Sequence, residues 1–248
     1  NRRFNKKLLV LPYIVNRHEY YGDLRKDLKI NNETFVVGRY GGYKTFDIEF
    51  VKEAIKYILK KRKDIIFLFL NTENFLEDKR IIYLPKTTSV KFKSKFIDTC
   101  DIMLHARKDG ETFGLAVAEF SAANKPIITY ENSKDLEHLR ILKGKAFTYR
   151  NKNQLINILI KLDKNNLLYK DWNCYKDYVP ENIIDKFENI CLKKTEKNFN
   201  IFEFIYDIPW EILIMLKKYI YLILHKILCF IPKKFKNNIK AFINKNIL

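Results

Sequence analysis

Two short stretches combine residue types able to hold a charged group and act on its neighbour. In Gly38-Arg39-Tyr40-Gly41-Gly42-Tyr43-Lys44-Thr45, two cations five residues apart flank a Gly-rich turn. Glycine lets backbone approach a ligand closely, and an arginine fork beside a lysine point charge suits a diphosphate. The spacing approaches that of a nucleotide P-loop. Tyr43, however, stands where that loop needs bare backbone before its lysine, which argues against a nucleoside triphosphatase. An ordinary strand-to-helix turn with two solvated cations has the same spacing.

The second stretch runs from Asp109 to Ser121, with Glu111 in a Gly-containing loop and Glu119 about two helical turns beyond it. The loop feeds a helix whose free N–H groups and positive dipole end form an anion cradle. A carboxylate can accept two hydroxyls at once, which suits a ribose diol. Glu119 lies among Leu115, Val117, Ala118 and Phe120, where a buried acid with nothing to bind would be costly. Spacing alone equally allows a solvated helix face and a loop acid.

These stretches need a scaffold. Apolar runs at Phe35–Val37, Ile65–Leu70, Ile81–Leu84, Ile102–Leu104, Pro126–Thr129 and Ala146–Tyr149 alternate with segments of helical spacing. That alternation predicts an α/β domain, a Rossmann-like parallel sheet with flanking helices. The clearest helix opens near Thr45 or Asp47, both candidate caps, with Phe50, Val51, Ala54, Ile55, Ile58 and Leu59 on one stripe. Phe92, Phe96 and Cys100 mark a second helix, Gly114–Asn124 a third, and Gln154–Lys164 and Glu181–Lys193 two more.

The 248-residue chain carries 47 Lys and Arg against 29 acids, a net charge of +18, which favours polyanions, acidic membranes or phosphorylated ligands. Cys100, Cys174, Cys191 and Cys229 are widely spaced and give no disulfide framework or zinc motif, so a reducing, cytoplasmic setting is expected. His18, His105, His138 and His225 are equally dispersed, and no metal site is expected.

In order along the chain, these residues resemble retaining GT-B glycosyltransferases, family 4 above all. Glu111-Thr112-Phe113-Gly114 with Glu119 looks like their E-x7-E signature, followed by Ala122-Ala123-Asn124-Lys125-Pro126-Ile127-Ile128 in place of the small-residue stretch and K-P-[VI]-[IV]. Gly38-Arg39 with Lys44 is similar to their G-R-x4-K turn, and Leu24-Arg25 through Leu28 and Ile30 to the stretch before it.

The resemblance implies the donor-binding C-terminal half of such an enzyme over residues 1–194, with residues 1–34 a linker and lead-in segment. It implies retention, no metal or other cofactor, and a UDP- or GDP-linked sugar as donor. Glu111, Arg39 and Lys44 would be catalytic. Phe113, Gly114 and Leu115 would bind the distal phosphate through backbone N–H groups and Glu119 the ribose, with Gly41, Gly42 and Arg107 lining the phosphates. Arg107 equally reads as a surface residue. Because the acceptor site of a GT-B enzyme lies largely in its N-terminal half, catalysis is expected to need that half, and the acceptor (glycan, lipid or protein) is not specified.

Residues 195–248 form a basic extension expected to be helical. From Ile212 onward it holds eight lysines and no acid. An amphipathic helix within 207–248 lying on the cytoplasmic face of an anionic membrane fits this composition, as does a helix packed on a partner. A non-catalytic basic module for anionic membrane or nucleic acid is the competing function. Nucleic acid is disfavoured, because the cations are scattered and no base-stacking signature is present.

Overall fold

The computed structural model describes residues 9–167 and 170–192, together with Met215, Tyr219 and Ile223. Contacts divide the chain into Asn1–Leu192 and Lys193–Leu248. In the first unit β1 (Phe35–Tyr40), α1 (Glu49–Lys61), β2 (Ile65–Leu70), β3 (Ile81–Leu84), α2 (Val90–Thr99) and β4 (Ile102–His105) are followed by β5 (Gly110–Glu111) and α3 (Leu115–Ala122). Then come β6 (Ile127–Tyr130), β7 (Asp135–Leu136), α4 (Glu137–Leu142), β8 (Ala146–Tyr149), α5 (Lys152–Lys161) and α6 (Pro180–Phe187). Six strands make one sheet in the order β3-β2-β1-β4-β6-β8, and all its pairs are parallel. This is the expected α/β Rossmann-like sheet.

Both faces of the sheet are covered, which is why its strands read as continuous apolar runs. Successive side chains go to opposite faces. Phe35 and Val37 join one core with Phe67, Phe69, Ile102 and Leu104 beneath α1 and α5, while Val36, Leu68 and Met103 join the other beneath α2 and α3. The α1 stripe buries Val51, Ala54, Ile55, Ile58 and Leu59, as its spacing predicts.

The start of α1 differs from expectation. Its N-cap position is Ile48, with no side-chain cap. Thr45 and Asp47 are spent on tertiary ties instead: Thr45 Oγ1 accepts from Arg39 and donates to Gly42 O, and Asp47 accepts from the Lys108 amide at 2.9 Å. The helix end gives up its caps to fasten two loops. The expected helix at Glu181–Lys193 is α6 followed by a π turn over Glu188–Leu192.

The lead-in segment is held against the domain. The Val15 amide donates to Tyr178 O at 2.8 Å, His18 meets Asp98 at 2.8 Å, and Arg17 pairs with Glu181 at 2.7 Å. Among the described residues no helix is long and apolar enough to cross a membrane. The expected tail helix lies, apart from Met215, Tyr219 and Ile223, outside the described residues; those three are helical and exposed.

Candidate functional site

The sheet order reverses between β1 and β4, and in an open parallel sheet the crevice at such a point, beyond the carboxyl ends of the strands, is where ligands bind. β1 runs out through Arg39 into the Gly41–Thr45 turn, and β4 ends at His105, four residues before the Asp109–Gly114 loop. Both motifs therefore open at the same end of adjacent strands.

Arg39 is only 4% exposed. Its guanidinium donates to Asn71 O at 3.2 Å, Thr72 Oγ1 at 2.5 Å, Gly42 O at 2.9 Å and Thr45 Oγ1 at 2.7 Å, and it lies over the Phe46 ring. Asn71 in turn donates to Gly41 O at 2.8 Å. The Gly-rich turn is thus sewn to the loop after β2 through one arginine. Burial lowers the Arg39 pKa to about 10, against the pull of Asp47 and Glu111, so it stays charged at neutral pH. Lys44 is exposed and lines a cavity of about 470 Å³ with Tyr43, Phe46, Glu49, Lys52 and Phe75 on the α1 side. Arg39 and Lys44 therefore face different surroundings.

Glu111 sits on the other side of the crevice. Arg107 donates to its Oε1 at 3.1 Å, and His105 Nε2 approaches the same oxygen at 3.4 Å. Burial opposes ionisation of Glu111, but His105 and Arg107 outweigh it and hold the carboxyl below its ordinary range. Arg39 is close enough to feel the charges of Asp47, Glu111 and Arg107. The arrangement is one buried cation, one half-exposed cation and an ionised acid at the mouth of the switch point.

The loop carrying Glu111 is held by backbone pairing. β5 pairs with β7, Gly110 opposite Asp135 and Glu111 opposite Leu136. Gly110 has φ +71°, and a Cβ there would stand 1.9 Å from Asp135 O, so no other residue fits. Ser133 Oγ donates to Arg107 O at 2.8 Å. The chain then turns at Gly114, φ +82°, into α3. Phe113 is buried against the rings of Tyr13, Tyr175 and Tyr178, and its carbonyl accepts from Tyr175 Oη at 2.8 Å. Anchoring Phe113 fixes where the first-turn N–H groups of α3 lie, and those groups have no partner within the helix. Leu115 is exposed.

Glu119 lies along α3 in a second cavity of about 410 Å³, which it lines with Leu115, Lys93, Ser94, His18 and Tyr21. Lys93 Nζ donates to Oε1 at 2.5 Å, while Oε2 is buried without a partner. Burial pushes the Glu119 pKa up to about 7. A half-satisfied, desolvated carboxylate is costly, which suits a group that completes its hydrogen bonds only with a ligand.

The sequence treats the histidines as dispersed, but the fold brings two together. The rings of His105 and His138 lie 4.9 Å apart with Thr129 between their nitrogens. Lys93 also carries no motif of its own and is identified only by its contact with Glu119. Among the described residues no three His, Cys, Asp or Glu side chains are arranged to hold a metal ion.

Neither a family model nor a curated protein matches the sequence. Solved structures do match in fold. HepE from Anabaena, solved with UDP-glucose, has 14% identity and a TM-score of 0.53 over 67% of this chain and 50% of its own. A glycosyltransferase from Rickettsia africae has 13% identity and a TM-score of 0.56 over 73% and 56%. A variant of S. aureus TarM, solved with UDP, has 16% identity and a TM-score of 0.56 over 75% and 40%. The chain thus spans about half the length of the proteins it matches. Its described α/β unit has the fold of one half of a GT-B glycosyltransferase.

Proposed function

We propose that this chain is the donor-binding half of a retaining, metal-independent glycosyltransferase that uses a UDP- or GDP-linked sugar. The observation that carries the proposal is Glu111, kept ionised between Arg107 and His105 at the β1/β4 switch point, one short turn before the free N–H groups of α3. The N–H groups at Phe113, Gly114 and Leu115 take the distal phosphate. Arg107, with its side chain 35% exposed, is the cation with room to meet the diphosphate, and Arg39 supplies charge from beneath the turn. Lys44, exposed beside the α1-side cavity, has to swing round the Gly41–Gly42 turn to meet the phosphates. Together these charges offset what develops on the departing nucleoside diphosphate, the task a divalent ion has elsewhere. Glu111 contacts the donor sugar and Glu119 the ribose hydroxyls. The neighbours solved with UDP or UDP-glucose support this choice of ligand.

Titration calorimetry with UDP and GDP tests the proposal. One of them is expected to bind the wild type, and Arg107→Ala to weaken it about tenfold through loss of a charge-assisted hydrogen bond. If neither nucleotide gives a binding isotherm, the assignment fails.

A second property rests on a different observation. Met215, Tyr219 and Ile223 recur every four residues of helix and are all more than half exposed, within a segment holding eight lysines and no acid from Ile212 onward. We propose that this stripe lies on an anionic bilayer at the cytoplasmic face of a membrane. In flotation with phosphatidylserine vesicles the full chain should rise with the lipid, and replacing the three residues by serine should leave it at the bottom. Equal partitioning of both forms would remove the membrane role.

A further inference from the structure

Behind Glu111 runs a line of polar groups that the proposed donor contacts do not use. His105 ends β4 directly opposite Thr129 of β6 in the parallel register. Its Nδ1 lies 2.9 Å from Thr129 Oγ1, and Thr129 Oγ1 lies 3.0 Å from His138 Nε2 on α4. Thr129 and His138 are fully buried and His105 is 6% exposed. At the far end His138 Nδ1 meets no partner at full hydrogen-bonding geometry, and the Glu111 backbone lies near the ring.

The identities of the groups decide where each proton sits. An ionised Glu111 only accepts, so the His105 nitrogen that faces it, Nε2, must carry a hydrogen. In the neutral ring Nδ1 is then an acceptor and must receive the Thr129 hydroxyl hydrogen. The hydroxyl, having donated, accepts from His138 Nε2–H. That leaves the His138 hydrogen on Nε2 and a lone pair on Nδ1, a nitrogen that meets no partner at full hydrogen-bonding geometry, with the Glu111 backbone nearby as the competing acceptor. Burial also pushes the His138 pKa down to about 4, in keeping with a neutral ring. Every hydrogen in the line thus points toward the carboxylate. A protonated His105 would run the line the other way, donating from Nδ1 to Thr129, whose hydroxyl would then donate to His138 Nε2 with the His138 hydrogen on Nδ1, so the tautomer of His138 reads the direction.

We infer that His138, Thr129 and His105 form a directed hydrogen-bond relay that positions the Glu111 carboxylate against the donor sugar, Thr129 and His138 being positioning residues that act through His105. This rests on the donor-binding function proposed above. Arg107 alone, half-exposed on its flexible stem, leaves Glu111 free to swing; the relay ties it to two strands and a helix. At 3.4 Å the last link is the loosest, so the relay sets direction more than it adds strength.

Two measurements on the full chain test this. In two-bond 1H–15N spectra at neutral pH, His105 and His138 should both show the Nε2–H tautomer. Thr129→Val should move the His105 Nδ1 resonance to that of an unbonded acceptor, and Thr129→Ser should restore it. His105 protonated on Nδ1, or spectra unmoved by Thr129→Val, would overturn the relay. Calorimetry with UDP and UDP-glucose reads its consequence. Thr129→Val should bind UDP within about twofold of wild type but lose about tenfold in affinity for UDP-glucose relative to UDP, with recovery in Thr129→Ser. Equal loss for both ligands, or no loss, would overturn the positioning role. Should Thr129→Val not fold, His138→Phe removes the far donor and should shift the same ratio in the same direction. If the wild type binds neither ligand, the donor function falls and the sugar role with it, while the tautomer spectra still judge the relay.

Discussion

Arg39→Ala is expected to destabilise the ligand-free chain by about 3 kcal/mol, roughly 10 °C in melting temperature for a domain of this size. The side chain is 4% exposed and donates to four oxygens on two loops. Removing it leaves those oxygens buried or dependent on water entering a cavity, and leaves Glu111 without a cation it feels. Arg39→Lys keeps the charge but not the planar fork, so at most part of the network survives; about 2 kcal/mol should be lost. The direction distinguishes two roles. A cation kept chiefly for direct contact with an anion sits under strain when the anion is absent, and its removal leaves the apo protein as stable or more so. Denaturant melts of wild type, Arg39→Ala and Arg39→Lys decide, and an unchanged midpoint for Arg39→Ala would show that its contacts do not brace the turn.

This bracing was not legible in the sequence, and the reason is physical. Arg39 and Lys44 stand out through their spacing, but Asn71 and Thr72, which saturate the guanidinium, lie on another loop and have no pattern of their own. What could be read was local and periodic. The stripe of α1 and the apolar runs of β1, β2 and β4 follow from one burial requirement repeated at fixed intervals. Thr45 and Asp47 look like caps because nothing local announces that Arg39 and Lys108 compete for them. His105 and His138 seem unrelated until β4 is known to pair with β6, a strand that follows it only after β5 and α3. In the sequence Phe113 stands out only for its amide, yet its ring, clamped by Tyr13, Tyr175 and Tyr178, is what holds the amide in place. Candidate ligand contacts could be picked out by residue type, whereas the groups that hold them depend on strand order.

Glu119→Gln should make the ligand-free chain more stable at pH 8 while weakening nucleoside diphosphate binding by about ten- to a hundredfold. With its pKa pushed up to about 7 by burial, the folded carboxyl keeps a proton that the unfolded chain sheds near its ordinary value of about 4.3. The native state therefore binds more protons than the unfolded state between those values, and stability contributed by this group is lost as pH rises through 7. From pH 6 to pH 8 the loss amounts to about 1 kcal/mol. Lys93 at 2.5 Å pulls the other way, but Oε2 has no partner and Lys93 is itself held down by burial, so the pair does not repay its desolvation. A neutral amide removes the charge and with it the pH dependence. The same amide offers one acceptor where a ribose diol needs two, so the gain in stability and the loss of binding arise from one substitution. Denaturant unfolding of wild type and Glu119→Gln at pH 6 and pH 8, alongside calorimetry with UDP, measures both. Parallel pH slopes in the two proteins would show that Lys93 neutralises Glu119 fully, and undiminished UDP affinity would remove the carboxylate from the ribose site.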